Sequence, residues 1–243
     1  MVAAPFRSGA AVSALAALPW LALTLAAYAV ALWLFRRGGL HPLLLPVLVG
    51  TTLVVGVLLA TGTSYATYFD GARWIYWLVG PATVALAVPL YGQMERLRRM
   101  WLPLSIALAA GSLTAIVSAL GIAWLLGGSR ATLVALAPKS ATMPIAMAVA
   151  EQAGGTRSLA AVAVAVTGIA GAMAARGLLA LLRERDEAVA GFALGISAHA
   201  IGVARALQTS PTAGAFAALA MGLNGIATGI VVPIVLALLG LLA

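Results

Sequence analysis

The chain has 243 residues, 63% of them hydrophobic and 8% charged, with a mean hydropathy of +1.10; soluble domains carry about a quarter charged residues, so a water-covered globule is excluded. The net charge of +8 is spread through short stretches between apolar runs, which is how membrane proteins mark a side rather than how nucleic-acid binders build a surface. There is no cysteine, which excludes disulfides and thiolate metal sites.

Many Ala, Gly and Leu residues with few aromatics, and no ten-residue alternation, fit close-packed helices rather than a β-barrel. The expected fold is an all-α polytopic membrane protein, a single integral membrane domain with about 7–8 membrane segments. Residues 10–35 are long enough to cross about 30 Å of hydrocarbon. Arg7 before an alanine-rich run imitates a signal peptide. The length of the run, and its end at Arg36 and Arg37, favour a retained first helix. His41 and Pro42 open a second span that runs to about Thr61. Residues 62–73 hold Thr63, Ser64, Tyr65, Tyr68, Phe69 and Asp70 and read as an interfacial segment, because aromatic rings favour the headgroup level.

Residues 74–91 contain Gly80, Pro81 and Pro89, and two prolines eight apart make a broken or re-entrant helix. Glu95 to Arg99 reads as a basic loop before a long span at 101–126. Further spans are expected at 159–182, 188–207 and 213–242. The first of these carries a small-residue face of Gly168, Gly171, Ala172 and Ala175, suited to close helix contact.

Between the spans at 101–126 and 159–182 lies the least membrane-like stretch, residues 137–155. Lys139, Ser140 and Thr142 fall between Pro138 and Pro144. Hydrocarbon tolerates this only where the backbone is broken and the polar groups face protein or water. Charge counting supports a re-entrant path. With eight full crossings the twelve arginines other than Arg205, which lies within an expected span, divide six against six. If residues 138–144 dip in and return, eight (Arg36, Arg37, Arg96, Arg98, Arg99, Arg176, Arg183, Arg185) oppose four (Arg7, Arg73, Arg130, Arg157), a clear cytoplasmic side. The segments at Pro81, Pro138 and His199 are each followed by a span, a weak internal echo of the duplicated transporter plan with broken helices.

Each polar residue has a functional and a structural reading. Lys139 is either an ammonium facing an aqueous cavity or a lysine snorkelling to the interface. Ser140 and Thr142 supply hydroxyls for a ligand or for helix packing. His199 and Arg205 are six apart, so on a continuous helix they do not share a face; a break near Gly202 would bring both to one cavity. Arg205 suits a carboxylate, and His199 can relay a proton. In the alternative, Arg205 pairs with Glu151 or a lipid phosphate and His199 is a satisfied packing residue. Glu151 balances Lys139 or Arg205, accepts a proton, or sits at the interface. Asn224 lines the pathway or hydrogen-bonds between helices. No metal spacing, nucleophile triad or phosphate-binding loop is present, so no enzyme activity, metal, cofactor or nucleic-acid partner is expected.

Ala137-Pro-Lys-Ser-Ala-Thr-Met-Pro-Ile-Ala-Met with Glu151 and Gly154-Gly155 resembles the signature of the LrgB/CidB family. Gly195-Ile-Ser-Ala-His199-Ala-Ile-Gly202-Val-Ala-Arg205 resembles its second signature. Gly80-Pro-Ala-Thr-Val-Ala-Leu-Ala-Val-Pro-Leu-Tyr91 and Tyr68-Phe-Asp-Gly71 match further patterns, so the likeness runs from about His41 to Pro233. Ala72, Ala141 and Met143 depart from the usual residues. The resemblance implies a bacterial inner-membrane protein and two functions. One is a proton-coupled carrier of small monocarboxylates such as glycolate, glycerate, lactate or pyruvate, as in the plastid glycolate/glycerate translocator. There Lys139, Arg205, Ser140, Thr142 and Asn224 would hold the anion, and His199 or Glu151 the proton. The broken segments, marked by Gly80, Pro81, Pro89, Pro138, Pro144 and Gly202, would meet near the midplane. The other function is a holin-like or antiholin-like modulator of murein hydrolase export and autolysis. The expected partners are a carboxylate anion, membrane lipid, a second copy in a homodimer, and an LrgA/CidA-type membrane protein.

Overall fold

A computed structural model describes residues 14–242, and all regular structure among them is helical. Arg7 and the expected start of the first span at residue 10 lie outside the described residues. By length and composition, six stretches of the described chain can cross a membrane: Ala17–Arg37, Tyr65–Tyr91, Met94–Leu125, Arg157–Leu181, Glu187–Leu207 and Pro211–Leu238. The protein is a multi-pass membrane protein built of two compact units, Met1–Ala85 and Leu86–Ala243.

The first unit contains α1 (Ala14–Arg37), a 3-10 turn at Pro42–Leu44, α2 (Pro46–Thr61), α3 (Tyr65–Trp77) and α4 (Val79–Ala85). Local chemistry sets these boundaries. The His41 imidazole accepts the Leu43 N–H ahead of the turn, Gly62 closes α2 in the left-handed region, and Ser64 caps α3 through the Thr67 N–H. Trp20 of α1 meets Tyr68 of α3 edge-on at 6.1 Å, and the Tyr68 hydroxyl lies 2.9 Å from Thr24. The expected interfacial segment at 62–73 is therefore helical from Tyr65 onward. The break expected at Gly80 and Pro81 falls just before them, at Leu78; both residues sit in the first turn of α4, where proline forfeits no helical hydrogen bond.

The second unit contains α5 (Ala87–Tyr91, around Pro89), α6 (Met94–Leu125), α7 (Arg130–Leu136), α8 (Met143–Gln152), α9 (Arg157–Leu181), α10 (Glu187–Leu207) and α11 (Pro211–Leu238). Glu95 to Arg99, expected as a loop, forms the first turns of α6, with Arg99 paired to Glu95 one turn away. A helix of 32 residues is about 48 Å long. Its charged first turns therefore extend beyond a hydrocarbon core of about 30 Å.

Two elements of this unit fold back on themselves. At 7 and 10 residues, α7 and α8 reach only about 10 and 15 Å. Pro138 lacks a donor, Thr142 is extended (φ −67, ψ 152) and Pro144 begins the new helix. Leu133, Val134 and Ala137 cluster with Val149 and Ala153, and Gly155 lies so close to Val134 and Ala135 that a Cβ there would crowd both. The second fold-back is α10. His199 has φ 41 and ψ −130, and a Cβ on Gly202 would overlap the Leu194 carbonyl oxygen. In a straight helix those residues stand about 12 Å apart along the axis. The break expected near Gly202 falls on His199, three residues earlier, and Gly202 lets the returning half lie against the first. Beside it, Gly191 abuts Ala213 and Gly195 abuts Ala217, so the first half of α10 runs parallel to the start of α11.

The hairpins approach from opposite ends. Hairpin α7–α8 packs with Ile116, Leu120 and Ala123 of α6 and Val232 and Leu236 of α11. The α10 hairpin packs with Leu104 of α6 and Phe216 and Ala220 of α11. Each therefore occupies the opposite half of the same two rods. Side-chain contacts at the ends agree: Arg96 joins Asp186 at one, and the Arg130 guanidinium donates to the Leu241 carbonyl at the other. The two hairpin-plus-rod units are in register 57 residues apart. That spacing separates the N-caps Ser129 and Asp186, the tip serines Ser140 and Ser197, the rod glycines Gly168 and Gly225, and the rod ends Leu181 and Leu238. The echo read from the sequence thus has a structural counterpart in these two units, and Pro81, 57 residues before Pro138, and Gly111, 57 before Gly168, keep the same spacing.

Candidate functional site

The hairpin tips meet at mid-height of the rods. Asn224, near the middle of α11, is 1% exposed. Its amide donates to the Ser140 carbonyl at 2.9 Å and to the Ile196 carbonyl at 3.3 Å. Its oxygen accepts from the Ser112 hydroxyl of α6 at 2.5 Å. One side chain thus joins both tips and a rod. Its oxygen and both amide hydrogens are thus engaged between helices, the arrangement that the interhelical-bond reading of Asn224 expects.

His199 sits at the second tip. Its Nε2 is 2.9 Å from the Val164 carbonyl of α9, and since a carbonyl only accepts, this nitrogen carries the hydrogen. The imidazole lies over Gly168, where a Cβ would come within 2.5 Å of it. Backbone strain of this kind costs about 1–3 kcal/mol, and the Val164 bond with the Gly168 seat holds it in place.

Beside the tips lies a cleft of about 960 Å³ walled by α6, α9, the first half of α10 and the first tip. Most of its lining is apolar. The polar groups are Lys139 and Ser140 from the tip, Thr114 from α6, Thr167 from α9 and Ser197 from α10. Lys139 is the chain's single lysine. Its ammonium lies 3.4 Å from the Ser140 hydroxyl, and among the described residues no carboxylate forms an ion pair with it. An ammonium, several hydroxyls and apolar walls are chemically complementary to a small anion with an apolar part.

The structure brings Lys139 and Ser140 into this cleft and adds Thr114, Thr167 and Ser197, which the sequence reading did not select. Lone hydroxyls on apolar helices are common; only the 57-residue match of Ser197 to Ser140 marked one of them. Thr142 stands at the N-cap position of α8 without a side-chain capping bond and is not among the lining residues. Glu151 pairs with Arg157 at 2.9 Å at the base of its hairpin, so it balances neither Lys139 nor Arg205. Arg205 lies on the returning half of α10, outside the lining. At that hairpin's base both carboxylate oxygens of Asp186 accept from the Arg96 Nη2 at 2.7 Å, and Asp186 caps α10. Burial works against its charge, but bonds from Ala188 and Val189 and the nearby Arg96 prevail and hold its carboxyl below the ordinary range.

The described chain is a helical multi-pass membrane protein whose broken helices meet beside a lysine-bearing cleft. The chain belongs to the LrgB-like family, whose pattern it matches over residues 24–238. It is 36% identical to the uncharacterized protein YxaC of Bacillus subtilis over 201 residues, 83% of this chain and 87% of that protein. It is 29% identical to the antiholin-like protein LrgB of the same organism (89% and 94% covered) and 28% identical to the holin-like protein CidB of Staphylococcus epidermidis (82% and 86% covered). The last two names support the holin-like or antiholin-like reading, and none of the three names a transported solute. No solved structure matches the chain.

Proposed function

We propose that the protein is a carrier, not an enzyme, that moves a small carboxylate monoanion across a bacterial inner membrane by alternating access around the two hairpin tips. The observation that carries this reading is the Asn224 amide shared by the Ser140 and Ile196 carbonyls, beside a cleft whose single charged lining group is Lys139. Opposed repeats with discontinuous helices give a site that either face can reach in turn. In this reading each hairpin is re-entrant, closing the cleft toward its own side. Lys139 pairs with the carboxylate, and Ser140, Thr167 and Ser197 meet its other oxygens. Within the second unit the end holding Arg96, Arg98, Arg99, Arg176, Arg183, Arg185 and Arg205 opposes one holding Arg130 and Arg157, so the first end faces the cytoplasm. A homodimer and an LrgA/CidA-type membrane partner belong to the same proposal.

The test is uptake of labelled glycolate, glycerate, lactate and pyruvate into proteoliposomes. Uptake of at least one acid by the wild type, lost at least tenfold in Lys139→Ala, supports the reading; no uptake of any of them sinks it. The second reading, a holin-like or antiholin-like modulator of murein hydrolase export, is favoured by the names of the two relatives. It predicts altered autolysis with no solute movement in the same vesicles.

A further inference from the structure

The coupling proton has no obvious carrier apart from the anion's own partner. Glu151 is engaged by Arg157 at the base of its hairpin. His199 gives its Nε2 hydrogen to the Val164 carbonyl and is not among the cleft's lining residues. The walls facing Lys139 contribute Thr114 from α6, Thr167 from α9 and Ser197 from α10, with no ionisable side chain from any of these helices. The residue of α11 that bonds its tip is the neutral Asn224. A half-buried ammonium among apolar and hydroxyl groups, with no carboxylate beside it, is costly unless an anion accompanies it.

Resting on the carrier reading, we propose that Lys139 is itself the proton carrier: proton and monoanion enter the cleft together and leave together. On one face the free amine takes a proton, and the resulting ammonium pairs with the anion. The neutral pair passes through the closed state. On the other face the anion departs, the proton follows, and the free amine returns. Each turnover moves one anion and one proton and no net charge. An arginine at this position holds its proton throughout, so it can exchange one anion for another but cannot complete an empty return.

Two measurements with labelled glycolate, glycerate, lactate and pyruvate in proteoliposomes test this. In the wild type, net uptake should follow an imposed inward proton gradient and be unchanged when potassium and valinomycin clamp the membrane potential at different values. In Lys139→Arg, whatever the absolute rates, the ratio of net uptake to anion exchange should fall at least tenfold relative to wild type. Uptake that tracks the clamped potential overturns the proposal without any variant, and so does an unchanged ratio in Lys139→Arg. If the wild type exchanges none of the four acids, the carrier reading falls and the coupling proposal with it. Exchange that persists while coupling fails overturns the coupling proposal alone.

Discussion

Asn224 donates its side-chain amide to the main-chain carbonyl of Ser140, 84 residues earlier in the chain, at 2.9 Å in a fully buried position. The same nitrogen reaches Ile196, so removing it strands two carbonyls and the Ser112 hydroxyl together. Each buried group left unsatisfied costs about 1–3 kcal/mol. Asn224→Leu should lower the melting temperature in detergent and abolish uptake. Asn224→Asp keeps the acceptor for Ser112 but has no amide to donate, and should be no better than leucine.

Glycine substitutions separate close approach from helix propensity. Gly202→Ala sets a methyl group against the Leu194 carbonyl and should destabilise by about 1–3 kcal/mol or more. Nothing lies within 4 Å of a Cβ at Gly222, so Gly222→Ala should be neutral or stabilising by up to about 1 kcal/mol. Thermal unfolding of both variants in one detergent makes the comparison; equal losses would contradict the folded-back α10.

A distance measurement examines the same bend directly. Val189 and Leu207 are 39% and 43% exposed, so both accept a spin label. A straight helix would separate them by about 27 Å. The fold-back, with Leu207 against Gly214 and Gly191 against Ala213, predicts a much shorter separation by electron–electron resonance. The absence of cysteine gives a clean background.

Acid should loosen the base of the second hairpin. The Asp186 carboxyl is held below its ordinary value of 3.8, so its contribution is present above that pH and is lost as pH falls through the lower folded value. Both partners of its ion pair are about 40% exposed, which keeps the charge contribution below about 1 kcal/mol. Asp186→Asn preserves the cap and should remove only this acid-side dependence. Asp186→Ala also removes the cap, costing about 1 kcal/mol at every pH. Melting temperature against pH for the three proteins checks this.

The first hairpin was legible in the sequence because two prolines and three polar side chains within seven apolar-flanked residues admit few other structures. The second was not. Residues 188–207 keep an apolar helical character with no proline, and the turn falls on His199, a residue whose type does not announce a positive φ. Gly202 pointed to a break but serves close packing. The bond network of Asn224 was equally hidden, since one asparagine in an apolar rod fits many partners. The run from Glu95 to Arg99 looked like a loop because its charges cannot lie in hydrocarbon, yet a helix can begin outside the membrane.

The most direct test of the central claim is two-sided labelling of Ser197→Cys, a cleft position on an otherwise cysteine-free chain. In oriented proteoliposomes a membrane-impermeant maleimide should reach this cysteine from either side, and the transported acid should slow the reaction from both. Labelling from one side only, or no protection by an acid that is still transported, would contradict a single site open to each face in turn.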